Sequence, residues 1–297
     1  ALDWSWGLLE PWAKAALSQA SLFRRGFTLE AAEGVIRVGD DAKIPGMFDI
    51  LGALVDNSLM RNEQVEGWGV RYTLLESIRA YASDKLNVSG EDESDLLGPK
   101  AKIQTQHRHA AHFAQLGADD ALKALDSFGG GARWEELFNE LDILVVGVEY
   151  GTSETAPYCC LAALKVLSMK GPMSLGIDVA TDVLQREGLP KRVQMLIEIE
   201  RSRCLRISGR LAEARQMVDT HISLLPRAFE AEADVDDLEI DASLSAPSLV
   251  EAERLMELGG VEQAQGNVEA AIQCVRKALD TFQKLGDITC EARAMGN

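Results

Sequence analysis

Three histidines crowd one short stretch, Gln106-His-Arg-His-Ala-Ala-His-Phe113, and His109 and His112 share a face if that stretch is helical. Zinc needs further nitrogen, sulfur or carboxylate ligands at set spacings, and none accompanies His107, His109 and His112 in the sequence. The cluster therefore reads as part of a helix, and no metal ligand is assigned. Glu135-Glu136 could do acid–base work only beside an apolar pocket and a nucleophile, and the sequence offers neither. They read as a wet helix face. No Gly-x-Ser-x-Gly, His-Glu-x-x-His or kinase loop occurs, so no catalytic residue is assigned. The phosphate cradle of a Gly-x-x-x-x-Gly-Lys-Ser/Thr loop is missing too. Gly129-Gly-Gly131 runs into Ala132-Arg133-Trp134, and Gly98-Pro-Lys-Ala-Lys102 has the wrong spacing. No cofactor is expected on these residues.

Composition narrows the remaining classes. A net charge of −17 opposes a sequence-independent grip on nucleic acid, which requires clustered Lys and Arg against phosphate. Glu230-Ala-Glu-Ala-Asp-Val-Asp-Asp-Leu-Glu-Ile-Asp241 and Asn87-Val-Ser-Gly-Glu-Asp-Glu-Ser-Asp95 are acidic tracts, read as solvated loops with docking strips for a basic partner as the alternative. No run of apolar residues is long enough for a membrane span, and no secretory leader opens the chain. Cys159, Cys160, Cys204, Cys274 and Cys290 form no Cys-x-x-Cys pair, and most sit at apolar helical positions. Reduced, buried thiols in the cytoplasm are the expectation.

The elements that must carry these residues fall into two kinds. Glu251-Ala252 with Leu255 returns as Glu291-Ala292 with Met295, a period of about 40 residues. Between them Ala270, Ala271, Cys274, Val275, Ala278, Leu279 and Phe282 draw one apolar stripe along a helix. Gly171, Gly209 and Gly266 each close one helix, with Gly176, Ala214 and Ala271 five places on to allow close packing of the next. This is the pattern of a helical solenoid, an array of tetratricopeptide-like hairpins over residues 152–297 with an acidic insertion at about 227–247. Its groove is expected along 192–207 and 251–265. The sequence stops mid-repeat at Asn297, so a longer parent chain is expected, with Ala292 and Met295 left open to fraying or self-association.

The first 90 residues are built otherwise. Residues 8–22, 28–38 and 47–57 read as helices, with Thr28 as an N-cap and Phe48, Leu51, Leu54 and Val55 facing inward. Residues 59–61 and 70–74 have strand character around a Gly67-Trp68-Gly69 turn, and a fourth helix follows at about 76–86. Three helices, a hairpin and a closing helix make a winged helix-turn-helix. The fold is mainly α: a winged-helix domain at 1–90, a helical linker block at 91–151 and the repeats.

Leu2-Asp-Trp-Ser-Trp-Gly-Leu-Leu9, Leu22-Phe-Arg-Arg-Gly-Phe-Thr-Leu-Glu-Ala-Ala-Glu33, Leu54-Val-Asp-Asn-Ser-Leu59 and Arg71-Tyr-Thr-Leu-Leu-Glu-Ser-Ile-Arg-Ala-Tyr-Ala82 resemble the winged-helix segment of STAND signalling ATPases, the AfsR-like and MalT-like relatives of NB-ARC proteins. Arg108-His-Ala-Ala-His-Phe113 and Glu140-Leu-Asp-Ile-Leu144 resemble the stretch that joins this segment to tetratricopeptide repeats. The resemblance implies an upstream nucleotide-binding module, the winged helix as an internal arm against it, and repeats that receive a protein, peptide or small-molecule signal. ATP or ADP would belong to that module alone. The family's His-Asp pair after the wing falls here on Leu75 and Glu76, near Arg79, so these three are the candidate contacts to the module. DNA binding is the rival reading, and residues 45–58 oppose it with two aspartates and no base.

Overall fold

The computed structural model describes residues 2–65, 69–88, 96–127, 129–220, 242–286 and 288–296. The chain forms two compact units, one of residues 1–115 with 139–156 and one of residues 116–138 with 157–297. Residues 91–151, set apart above as a linker block, thus contribute to both. Among the described residues no helix is long and apolar enough to cross a membrane.

The first unit opens with α1 (Leu2–Gly7), α2 (Pro11–Ala20), α3 (Leu29–Val35) and α4 (Met47–Asp56). Pro11 starts α2, where its missing N–H costs nothing. The Thr28 hydroxyl accepts from the Ala31 amide at 3.2 Å and caps α3 as its sequence position suggests. The hairpin follows, β1 (Arg61–Val65) antiparallel to β2 (Gly69–Thr73), and Phe27 bridges to Tyr72 on the far side of β2. Helix α5 (Glu76–Asn87) closes the element order of a winged helix-turn-helix. The first strand lies later than 59–61, because Leu59 and Met60 are drawn into the core while 61–64 face solvent. Of the turn Gly67-Trp68-Gly69, only Gly69 is among the described residues.

One expectation on α4 is overturned. Leu51 and Leu54 are fully buried, but the Phe48 side chain is 64% exposed, because it lies off the helix face that Ile50, Leu51 and Leu54 turn to the core. Two further helices complete the unit, α6 (Pro99–Ala114) and α9 (Leu141–Tyr150), which pack on each other. Gln19, buried in α2, accepts from the Arg37 amide at 2.9 Å and from Arg108 at 3.1 Å, so one amide ties α2, the end of α3 and α6 together.

The second unit begins with α7 (Asp119–Leu125) and α8 (Gly130–Asn139), whose last residue already belongs to the first unit. The hairpins then run α10 (Ala156–Lys170) with α11 (Met173–Leu184), α12 (Lys191–Ile207) with α13 (Leu211–Thr220), and α14 (Ala242–Ala264) with α15 (Val268–Leu285). Helix α16 (Ile288–Gly296) follows. Helix α12 packs against α11, α13 and α14, and α14 against α15, as stacked helix hairpins require. Gly171, Gly209 and Gly266 hold φ of +73°, +78° and +85°, a left-handed turn at which a Cβ would be strained. At the fifth position a Cβ on Gly176 would meet the Cys204 sulfur at 3.0 Å, and Ala214 is wholly buried.

The apolar stripe of α15 meets α14 and α16 in a cluster of Ala252, Met256, Ala278, Phe282 and Ala294. Burying a side chain the size of Phe282 is worth about 1.5–3 kcal/mol. Met295 is 63% exposed. Helix α14 starts at Ala242, inside the stretch expected as an insertion, and residues 227–241 lie outside the described residues.

Candidate interaction groove

The first helices of the three hairpins line two adjoining cavities, and their lining residues mark a candidate groove. On α12 these are Arg192, Leu196, Ile199, Glu200, Arg203 and Arg206, a helical run of one row. On α14 they are Leu249, Glu253, Glu257 and Gly260, and α10 adds Leu161 and Lys165. The α12 residues lie within the expected range 192–207, and on α14 Leu249 lies just ahead of the expected range 251–265. Lys165 was missed, because its helix lies upstream of both ranges.

Charges run across this floor from helix to helix. Lys165 Nζ meets Glu200 Oε1 at 2.6 Å, and Arg203 donates to both Glu200 oxygens at 3.0 and 2.9 Å. Arg206 grips Glu257 from the neighbouring hairpin with two bonds, at 2.8 and 3.1 Å, and Ser202 lies 3.5 Å from the same carboxylate. A Cβ on Gly260 would stand 3.0 Å from the Arg206 guanidinium, so glycine there lets that side chain lie flat across α14. The carboxylates are the buried members, 5% exposed for Glu200 and 1% for Glu257, whereas Lys165, Arg203 and Arg206 each keep about a quarter of their side chains in solvent. Glu200, and after it Glu257 and Glu253, raise the Arg203 pKa above its ordinary value against the opposing effect of burial. The floor therefore shows cationic edges to solvent over carboxylates sunk beneath them.

Two cavities open on this surface, and Glu253 lines both. The smaller, about 100 Å³, is bounded on one side by Asp119, Leu122, Lys123 and Asp126 of α7. The larger, about 630 Å³, reaches from Arg203 and Arg206 to Ile272, Val275 and Met295. Cys290 lines the smaller cavity with its thiol 3.8 Å from Glu253 Oε1. Cys159 and Cys204 carry buried thiols, and burial pushes both up to about 12. The arrangement can hold a ligand by charge and apolar contact.

In the first unit the candidate contacts Leu75, Glu76 and Arg79 lie together at the start of α5. Leu75 is its N-cap residue, 40% exposed, and Glu76 sits in its exposed first turn. Arg79 Nε lies 3.3 Å from Glu76, its Nη2 donates to the Leu74 carbonyl at 3.5 Å, and its Nη1 is buried without an acceptor among the described residues. Glu76 thus lies in the first turn of α5 within ion-pair distance of Arg79. The motif residues Arg71 and Glu140, far apart in sequence, join in a pair of 2.5 Å with side chains 13% and 9% exposed. Arg24 reaches Glu149 at 2.6 Å and Arg25 pairs with Asp142, so the residues that carried the resemblance converge on α9.

The histidines separate in the fold. His109 is buried among Phe23, Phe113 and Tyr150, and His112 lies against Gly34. Among the described residues no group of three His, Cys, Asp or Glu side chains is placed to hold a metal ion. The exposed side of α4 carries Phe48, Asp49 and Asp56.

No family profile matches the chain. A stretch of 107 residues, 36% of the chain, is 37% identical to provisionally named HTH-type transcriptional regulators of Mycobacterium bovis and of two strains of Mycobacterium tuberculosis. The stretch spans 11% of the length of each of these relatives. Among solved structures, a STAND protein with a tetratricopeptide repeat sensor from Pyrococcus horikoshii aligns with 97% of this chain and 47% of its own, at 13% identity and a TM-score of 0.34.

Proposed function

We propose that this chain is a regulatory, non-catalytic interaction region of a bacterial signalling or transcription regulator of the STAND type. The repeats receive a partner along the concave floor, and the winged-helix unit makes a protein contact rather than reading DNA. The observation that carries the reading is the floor itself. Lys165, Arg192, Arg203 and Arg206 cross two hairpins, each about a quarter exposed and each paired with a carboxylate, in a chain whose net charge is −17. Cations spread along a repeat surface can trade those carboxylates for the ones of an acidic segment. The mycobacterial relatives, named as regulators, support the regulatory part. In this reading Leu75, Glu76 and Arg79 face an upstream nucleotide-binding module, and ATP or ADP binds only there.

The rival is a DNA-binding winged helix with the repeats as scaffold. Titrating the chain into labelled duplex DNA at about 50 mM salt separates the two, because a phosphate-driven contact is strongest there. No association is expected. Binding that weakens steeply with added salt would reject the protein-contact reading and install the rival.

A further inference from the structure

The path of the chain between its units singles out one short segment. Gln115 ends a stretch of the first unit, residues 116–138 belong to the second, and Asn139 returns to the first. Within that excursion α7 stands against the concave floor. Asp119 pairs with Arg192 at 2.5 Å, and Leu122, three residues on, faces the cavity that Leu161, Leu196 and Val250 line from below. The excursion is pinned at both ends. Gly117 lies so close to the Tyr158 carbonyl that a Cβ would sit 1.8 Å from its oxygen, and Lys170 stands 3.4 Å over the Phe138 ring.

On α7 itself the hold is slight. Leu125 is the one buried residue of α7, and the Asp119–Arg192 pair is 40% and 23% exposed. A pair that exposed contributes little. An open cavity of about 100 Å³ remains beside Leu122. A permanent wall would bury more of itself. A short acidic helix that offers a carboxylate to a groove cation and a leucine to its cavity behaves instead as a ligand carried in the same chain.

We infer that Asp119–Leu125 is a resident occupant of the groove, and that the partner is a helical segment of the same chemistry: a carboxylate followed three places later by a leucine or larger apolar residue. This rests on the reading of the repeats as an interaction surface. The tether gives the resident a high local concentration, so a partner competes only by filling the seat better or by binding once the resident has lifted. Lifting it releases the strand of chain between α6 and α9, the two helices that pack on each other in the first unit.

The probe is a fluorescent peptide of residues 116–127, titrated into the whole 297-residue chain. The double substitution Asp119→Lys, Leu122→Ser frees the resident helix, and it should bind the peptide at least tenfold more tightly than the parent chain does. Adding Arg192→Glu should abolish that gain. Should the double variant lose helicity by circular dichroism, Leu122→Phe replaces it. Filling the cavity in cis should weaken the peptide at least threefold, while the same change in the peptide should tighten it. Equal affinity for parent and freed chains, or for parent and Leu122→Phe, would overturn the inference and make α7 a fixed wall. The wider reading is judged separately with a panel of unrelated acidic peptides on the freed chain. Binding that Arg192→Glu removes keeps the groove as an interaction surface, and no binding by any of them rejects both.

Discussion

Exchanging His109 for phenylalanine should flatten the acid side of the stability curve of the winged-helix unit. The His109 ring lies 5.2, 4.8 and 5.4 Å from the centroids of Phe23, Phe113 and Tyr150, and neither ring nitrogen meets a partner among the described residues. Burial, helped by the charge of His112, pushes its pKa down to about 3. An unfolded imidazole titrates near ~6.5. Between those values the unfolded chain binds a proton that the folded chain refuses. Stability from this group is therefore fully present above about pH 6.5 and is lost as the pH falls toward the folded value. Moving from about pH 7.5 to about pH 5 costs roughly 2 kcal/mol, and any folded pKa below about 4 gives nearly the same figure. At neutral pH the exchange swaps two unpartnered nitrogens for carbon inside an aromatic cluster, so H109F should stay within about 1 kcal/mol of the parent. Trp4, Trp6 and Trp12 belong to this unit, so their fluorescence in urea reports its unfolding. The gap between H109F and the parent should widen by roughly 2 kcal/mol in favour of H109F on acidification. Burial also lowers the His112 pKa, but that residue is present in both chains and largely cancels. A gap that stays constant with pH would refute the reasoning, since the imidazole would then have to reach water or an acceptor.

Gly117→Ala places a methyl group on the Tyr158 carbonyl, a backbone atom that cannot step aside, and should cost more than the ~1–3 kcal/mol of ordinary overpacking. Amide exchange across 116–127 should rise while α10 stays protected. Glu257→Ala removes the 1% exposed carboxylate that Arg203 and Arg206 share. Both guanidiniums reach water, so the loss should fall at or below the low end of the about 3–5 kcal/mol for a broken buried pair, seen as faster exchange in α12 and α14. Glu140→Ala leaves Arg71 mostly buried beside the Gly26 carbonyl it also bonds. A loss of roughly 2–3 kcal/mol is expected from tryptophan fluorescence in urea, and a change under about 0.5 kcal/mol would mean that the pair is not formed in solution.

The readable parts of this sequence were those where a local rule and the tertiary environment agree. Thr28 caps a helix because its hydroxyl needs only the amide three residues on, and the stripe from Ala271 to Phe282 buries because period 3.6 fixes one face whatever lies opposite. Phe48 misled because apolar character was taken as burial, whereas Ile50, Leu51 and Leu54 define the core face of α4 and Phe48 lies off it. The repeat register led to most of the residues that line the two cavities, because it fixes which helix of each hairpin comes first. The role of α7 did not, because Asp119-Asp-Ala-Leu-Lys-Ala-Leu125 has the composition of any surface helix and only the return of the chain brings it to Arg192. The Arg71–Glu140 pair was likewise invisible, since sequence gives the two residues no common periodicity.

The excursion of residues 116–138 also limits how this architecture can be divided. A crossover in a gene, or a nick by a protease, anywhere between residues 115 and 157 leaves at least one unit without part of its own packing. Shuffling the repeats onto another arm would strand either α7 and α8 or α9 on the wrong side of the join. No single break in the chain can therefore part the two units whole, although each has a core of its own.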